Sequence, residues 1–260
     1  MKKLIVLALT LSLFNCKKDA KEEAVIETVK EVIVETPKKV YPKNLTKVFN
    51  AHGTLEAWNS FRSLSFTMKK EKGDELTITD LKDRRSFIET KDFKIGYNGK
   101  ETWLQENEGF KYKSNPQFYY NLMFYFYAMP YVLADDGITY TDVDALEFDG
   151  KIYPGIKISY GNDIGESPED EYILYYDIET NKMAWLGYTV TYFTKEKSKD
   201  WHFIRYSEWQ NVEGLVLPKT LSWYKAEGFK IGDKRNDLEF TDIKLSKYKM
   251  EASQFEKPLK

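Results

Sequence analysis

The apolar pattern changes period at Arg62, and that change constrains the fold more than any other feature. Before it, Leu45, Val48, Phe49, His52, Leu55, Trp58 and Phe61 fall at steps of three and four behind Asn44, a residue able to cap a helix. This is one amphipathic helical stripe, weakened by Gly53 inside it. After Arg62, Leu64, Phe66 and Met68 alternate with Ser63, Ser65 and Thr67, and Leu76, Ile78, Phe87, Phe93, Ile95 and Tyr97 continue the period of two. Alternation of this kind marks half-buried strands, and Asn98-Gly99 followed by Thr102-Trp103-Leu104 is a hairpin signal.

A second run of strands is expected at Tyr140–Phe148, Ile152–Tyr160, Tyr172–Ile178, Met183–Phe193, Trp201–Gln210, Leu215–Tyr224 and Leu238–Leu245. In the last of these the apolar phase slips from Leu238 and Phe240 to Ile243 and Leu245, which predicts a bulge near Thr241. Eleven or twelve short strands in meander order must hide their edges, and closure or near-closure into a barrel does so. The 217 residues of 44–260 contain no linker-like gap, and they read as one domain.

Between the two runs of strands lies an aromatic segment. Asn115-Pro116 opens a helix well, and Pro130 ends or kinks it. Eight of the 14 residues from Phe118 to Tyr131 are aromatic. No polar face is left, so the segment must be covered on more than one side. It is either a helix buried between sheet and neighbours or a lid over an apolar cavity. The lid reading places Phe118, Leu122, Phe124, Phe126 and Met129 on one wall, facing Leu64, Phe66 and Met68. Arg205, in phase with Trp201, Phe203 and Trp209, is a candidate contact for a lipid headgroup, against the alternatives of an ion pair or a cation–π contact.

Charge and rare residues exclude several functions. With 39 basic and 41 acidic residues the net charge is −2, which offers no basic footprint for nucleic acid. One Cys and two His rule out a disulfide framework and make multi-His metal sites nearly impossible. No GxxxxGK[ST], GxGxxG or GxSxG motif occurs. Asp142, Asp144 and Asp149-Gly150 hint at a calcium loop, but Leu146 stands where a ligand belongs and Glu147 where the loop needs Gly. The acidic run Asn162, Asp163, Glu166, Glu169, Asp170 and Glu171 reads as a solvated loop, and His52 on its apolar stripe as a core histidine. The expectation is a non-enzymatic protein with no cofactor and no metal.

The N-terminus reads as an address. Lys2 and Lys3 precede 11 uncharged, mostly apolar residues, Leu4 to Phe14, too few to span a bilayer and suited to a secretory signal. The only Cys, Cys16, ends this run, and Leu13-Phe14-Asn15-Cys16 resembles a lipobox, although Phe14 and Asn15 are larger than usual there. Residues 1–15 are then a signal peptide, Cys16 is the lipidated first residue, and 16–43, rich in Lys and Glu, is a tether. Lipidation with two or more chains anchors stably without spanning.

The order of elements then resembles a known family. A helix carrying Ala51-His52-Gly53 and Trp58 precedes a meander with Tyr97-Asn98-Gly99 and Trp103, then an inserted helix and a second meander. This is similar to the LolA/LolB-like lipoprotein-carrier superfamily. Tyr175-Tyr176-Asp177, Met183, Tyr188-Thr189-Val190-Thr191-Tyr192-Phe193, Ile204-Arg205-Tyr206, Trp209, Gly214-Leu215 and Leu217-Pro218 resemble more closely a group of uncharacterised lipoproteins from Bacteroidota. The resemblance implies a mainly-β (α+β) fold: a half-open antiparallel β-barrel of about 11–12 strands, its concave side covered by the N-terminal and aromatic helices. It implies a lipid or other apolar small molecule as ligand, with the chain as carrier, acceptor or sensor, against the alternative of a scaffolding lipoprotein whose cavity its own side chains fill. A monomer anchored in the cell envelope, at the periplasmic face or surface of the outer membrane, is the expected form.

Overall fold

The computed structural model describes residues 39–160 and 169–258. The expected signal peptide, Cys16 and the tether up to residue 38 lie outside the described residues, as do Asn162, Asp163 and Glu166.

The architecture is one antiparallel sheet of 12 strands that does not close. Strands β1 (Ser63–Lys69), β2 (Glu75–Asp80), β3 (Ser86–Glu89), β4 (Phe93–Tyr97) and β5 (Thr102–Glu106) form the first meander. The second comprises β6 (Ile138–Phe148), β7 (Lys151–Tyr160), β8 (Tyr172–Tyr176), β9 (Met183–Tyr188), β10 (His202–Val212), β11 (Leu215–Glu227) and β12 (Lys230–Ser246). β1 pairs with β12, so the two meanders join at the ends of the chain and leave β5 and β6 as edges. This is the half-open barrel implied by the sequence resemblance. The bulge expected near Thr241 is present. The β1–β12 register steps from Ser65–Lys244 to Thr67–Thr241, with Asp242 at φ 54. Two expected strands stop early: β8 ends at Tyr176, short of Ile178, and β9 ends at Tyr188, because Thr189 and Thr191 turn inward to bind Glu171 and Asp170.

The N-terminal stripe forms two helices, α1 (Lys43–Ala51) and α2 (Leu55–Ser60), not one. Gly53 is the break. Its φ is +105, and a Cβ there would lie 2.3 Å from the Gly214 carbonyl oxygen. Only glycine allows this approach, which lets Val216 donate its N–H to the His52 carbonyl at 2.9 Å. Thr54 then caps α2 by accepting from the Ala57 N–H. Asn44 is not the cap of α1; it lies inside the helix, where its side-chain amide donates to Asp142 at 2.8 Å.

The aromatic segment is also divided, into α3 (Pro116–Tyr119), α4 (Leu122–Tyr127) and a 3₁₀ turn, Tyr131–Ala134. Asn115 caps α3, accepting from the Gln117 and Phe118 N–H groups. The break at Tyr120–Asn121 lets the segment serve two parts of the sheet. Tyr120 is buried with Ile88 and Ile95 of the first meander. Met123, Phe124, Phe126 and Tyr127 join the main core with α1, α2 and the inner faces of β1, β7, β9 and β10.

The outer face of the sheet carries its own clusters. Leu146, Tyr153, Ile173, Tyr175, Trp185 and Phe203 form one. Phe87, Trp103 and Phe255 form another, where the C-terminal 3₁₀ turn Ala252–Phe255 straps across and the Phe255 carbonyl accepts from the Trp103 indole N–H at 2.8 Å.

Candidate functional site

A cavity of about 320 Å³ lies at the N-terminal flank of the aromatic segment. Its lining draws on distant parts of the chain. Phe118, Tyr120, Asn121, Leu122, Tyr125 and Phe126 come from α3, α4 and the break between them. Tyr97 ends β4, Tyr160 ends β7, Tyr172 begins β8, and Tyr192 follows β9. Charged groups complete the rim: Asp83 and Arg84 from the β2–β3 turn, Asp135 and Asp136 after the 3₁₀ turn, and Asp170 before β8. The volume is at the small end of the roughly 300–1,000 Å³ usual for ligand sites.

The β2–β3 turn shows how the sequence positions Arg84. Asp80, fully buried, accepts from the Lys82 and Asp83 N–H groups and pairs with Arg62 and Arg85. This tight turn holds Arg84 at φ 60, a left-handed conformation costing a non-glycine residue about 1–2 kcal/mol. In return the Arg84 guanidinium donates to both oxygens of Asp135 at 2.7 Å and stacks over the rings of Phe124 and Tyr125 at 5.2 and 5.8 Å. Asp83 is held by the Arg85 guanidinium at 3.0 and 2.9 Å, and that bonding keeps its carboxyl below the usual range against the opposing effect of burial.

Asp170 differs from these. One oxygen accepts from the Thr191 N–H at 2.6 Å and the Thr191 hydroxyl at 2.7 Å; the other accepts from the Tyr172 hydroxyl at 3.3 Å. Burial raises its pKa despite these bonds. Burial also raises the phenols of Tyr160 and Tyr172, whose rings meet edge to face at 5.7 Å. Tyr192 packs on Phe118 at 5.0 Å, and both touch the exposed ring of Phe193.

The residues singled out from sequence fall into three places. Phe118, Leu122 and Phe126 line the cavity. Phe124, Met129, Leu64, Phe66 and Met68 are buried in the main core and not on the cavity lining. Beneath α4 the barrel is packed: the Tyr127 ring lies 4.4 Å from Phe66 and 4.5 Å from Phe240, which leaves no space at that wall. The opening is therefore beside the expected lid, not under its centre. Arg205 lies on the outer face, over the rings of Phe148 and Trp185 at 5.1 and 5.4 Å, which is the cation–π alternative. The residues missed from sequence are the tyrosines on β4, β7 and β8 and the aspartates. Asp135-Asp136-Gly137, directly after the aromatic segment, and Asp170 beside Tyr172 were the available signals.

The histidines occupy different environments. His52 is fully buried, with Nδ1 2.8 Å from the Val48 carbonyl, its ring 4.6 Å from Trp209, and its pKa pushed down to about 4 by burial. The Tyr131 hydroxyl donates to the His52 carbonyl. His202 lies 3.7 Å from the exposed Asp200. Among the described residues neither ring hydrogen-bonds a serine, and no group of three His, Cys, Asp or Glu side chains could hold a metal ion.

No family model and no curated protein matches the sequence. Among solved structures the chain is similar to a LolA superfamily protein from Nitrosomonas europaea, with 9% identity over 78% of this chain and 96% of that one, at a TM-score of 0.45. It is also similar to a DUF1329 family protein from Desulfovibrio piger, with 10% identity over 78% of this chain and 92% of that one, at a TM-score of 0.48. These likenesses concern the fold.

Proposed function

We propose that the chain is a cell-envelope lipoprotein that holds a lipid or other hydrophobic ligand in its half-open barrel, as carrier, acceptor or sensor. The observation that carries this reading is the cavity at the flank of α3 and α4, walled by Phe118, Leu122, Phe126 and a set of tyrosines. Apolar walls with a few convergent polar groups are the usual form of a small-molecule site. The reading is non-catalytic. It is supported by His52, locked in the core on the Val48 carbonyl, and by His202, which lies between an exposed carboxylate and the Tyr188 ring. Anchoring through Cys16 and location at the periplasmic face or surface of the outer membrane are parts of the same proposal, supported by the basic n-region, the short apolar run and the place of the lone Cys, and a monomeric state is proposed with them.

A second reading has its own observation. Most of the barrel interior is filled by the protein's side chains, with Phe66, Tyr127 and Phe240 in mutual ring contact at 4.4–5.4 Å. A scaffolding lipoprotein with a self-filled barrel would show this packing.

Mass spectrometry of an organic extract from the purified Cys16→Ser chain separates the two. A co-purifying apolar species at near-stoichiometric yield supports the ligand reading; an empty extract from protein isolated under native conditions supports the scaffold. The same variant tests the anchor. It should leave the membrane fraction while keeping the wild-type unfolding transition, and complete retention in membranes at high salt would contradict anchoring.

A further inference from the structure

Resting on the reading of this cavity as a ligand site, we propose that its ligand is a cationic amphiphile, with an amine or quaternary ammonium group seated against Asp170 among the tyrosine rings. The rim carries both signs, with the Lys195 ammonium over the Tyr192 ring. Four carboxylates, Asp83, Asp135, Asp136 and Asp170, line the cavity with one guanidinium, Arg84. Arg84 is engaged by both oxygens of Asp135, and Asp83 is held by Arg85 with Arg62 at 3.7 Å. An anionic headgroup would therefore meet a guanidinium already taken and, in Asp170, a carboxylate whose hydrogen bonds come from neutral donors.

Asp170 is the carboxylate built for a partner from outside. It is half-buried, and its three bonds come from neutral donors, the Thr191 N–H, the Thr191 hydroxyl and the Tyr172 hydroxyl. A carboxylate partly withdrawn from water is costly, and a cation arriving beside it offsets part of that cost. Burial raises its pKa, and the field of Lys195 lowers it without reversing the shift. The neighbouring rings favour the same sign, because an aromatic face attracts cations. Tyr172 touches Asp170 directly, Tyr160 meets Tyr172 edge to face, and Tyr192 already carries the Lys195 ammonium over its ring at 4.2 Å. Phe118, Leu122 and Phe126 supply the apolar wall for a chain attached to the charged group. The volume, at the small end of ligand sites, suits one charged group with a single chain.

The test is isothermal titration of the full chain with three probes that share one alkyl chain, each below its micelle threshold: dodecyltrimethylammonium, dodecyl maltoside and dodecanoate. The cationic probe should bind about tenfold or more tightly than the neutral one, with dodecanoate weakest. Asp170→Asn should reduce the cationic advantage to within about threefold while leaving dodecyl maltoside affinity unchanged. Because that substitution also touches the Thr191 turn, wild-type protein provides a second measurement. Tetramethylammonium chloride should displace dodecyltrimethylammonium, and sodium chloride at equal concentration should not. Equal affinity for cationic and neutral probes, or no displacement by tetramethylammonium, overturns the charge assignment and leaves the cavity reading standing. No saturable binding of any probe overturns both.

Discussion

The two ends of the aromatic segment are made of similar residues and do different things. From Met123 to Tyr131 the rings other than Tyr125 are buried, and they meet Phe66, Phe240, Tyr188 and Trp58 across the sheet and α2. Phe118 and Leu122 are only partly buried and border the cavity, which Tyr125 and Phe126 also line. The difference comes from what faces each end. The inner faces of β1, β10 and β12 present Phe66, Tyr206 and Phe240, large side chains that fill the space, and the Tyr206 hydroxyl fastens the Phe126 carbonyl at 2.7 Å. The flank meets strand ends and turns, where tyrosines and aspartates stand around a gap. Aromatic content alone therefore does not locate a ligand site; the opposite wall decides.

Substitutions should separate the two ends sharply. The largest effect is expected at the packed floor: Phe66→Ala should cost about 3–5 kcal/mol in chemical denaturation, as truncating a fully buried Phe does, with probe uptake at the flank unchanged in the protein that remains folded. If this variant instead emptied the cavity of ligand at unchanged stability, the packed and open ends would have to be exchanged.

Next in size is a pH effect carried by His52. Its folded pKa, about 4, lies below its unfolded value of 6.5. The neutral ring therefore contributes stability that is fully present above pH 6.5 and is lost as pH falls through 4. A difference of that size corresponds to about 3 kcal/mol. Urea midpoints measured from pH 7 to 4 should fall more steeply for wild type than for His52→Leu, and parallel curves would contradict the buried, neutral ring.

A smaller change is expected on the outer face. Arg205→Ala should cost about 1 kcal/mol, from the lost stacking on Phe148 and Trp185 and the lost packing of its stem, with ligand affinity unaltered. Loss of binding without loss of stability would return Arg205 to the ligand. Smallest in stability is Phe118→Ala, at about 1 kcal/mol or less, since its ring is only partly covered; its effect should appear in uptake.

The elements legible in sequence are those set by local pattern. Period two gave the strands of both meanders, and the phase slip at Phe240–Ile243 located the bulge now seen at Asp242. The helical stripe gave the buried face of α1 and α2, but not their division. Gly53 breaks the stripe because the Gly214 carbonyl approaches it from a hairpin some 160 residues away, which local pattern does not carry. The division at Asn121 has a similar origin, in the separate burial of Tyr120 against Ile88 and Ile95. For the site, Phe118, Leu122 and Phe126 were legible as apolar residues on a segment needing cover. Tyr97, Tyr160, Tyr172 and Tyr192 were not, because each is an ordinary strand-end tyrosine until the sheet curls and brings them to one rim.

The central claim is that the flank holds an accessible apolar cavity, and filling it is the most direct test. Leu122→Trp places an indole into the space beside Phe118 and Phe126. Titrated with the fluorescent apolar probe N-phenyl-1-naphthylamine, wild-type protein should show saturable enhancement, and Leu122→Trp should lose most of it at an unchanged melting temperature. Equal, saturable enhancement in both proteins, or none in either, would contradict the claim.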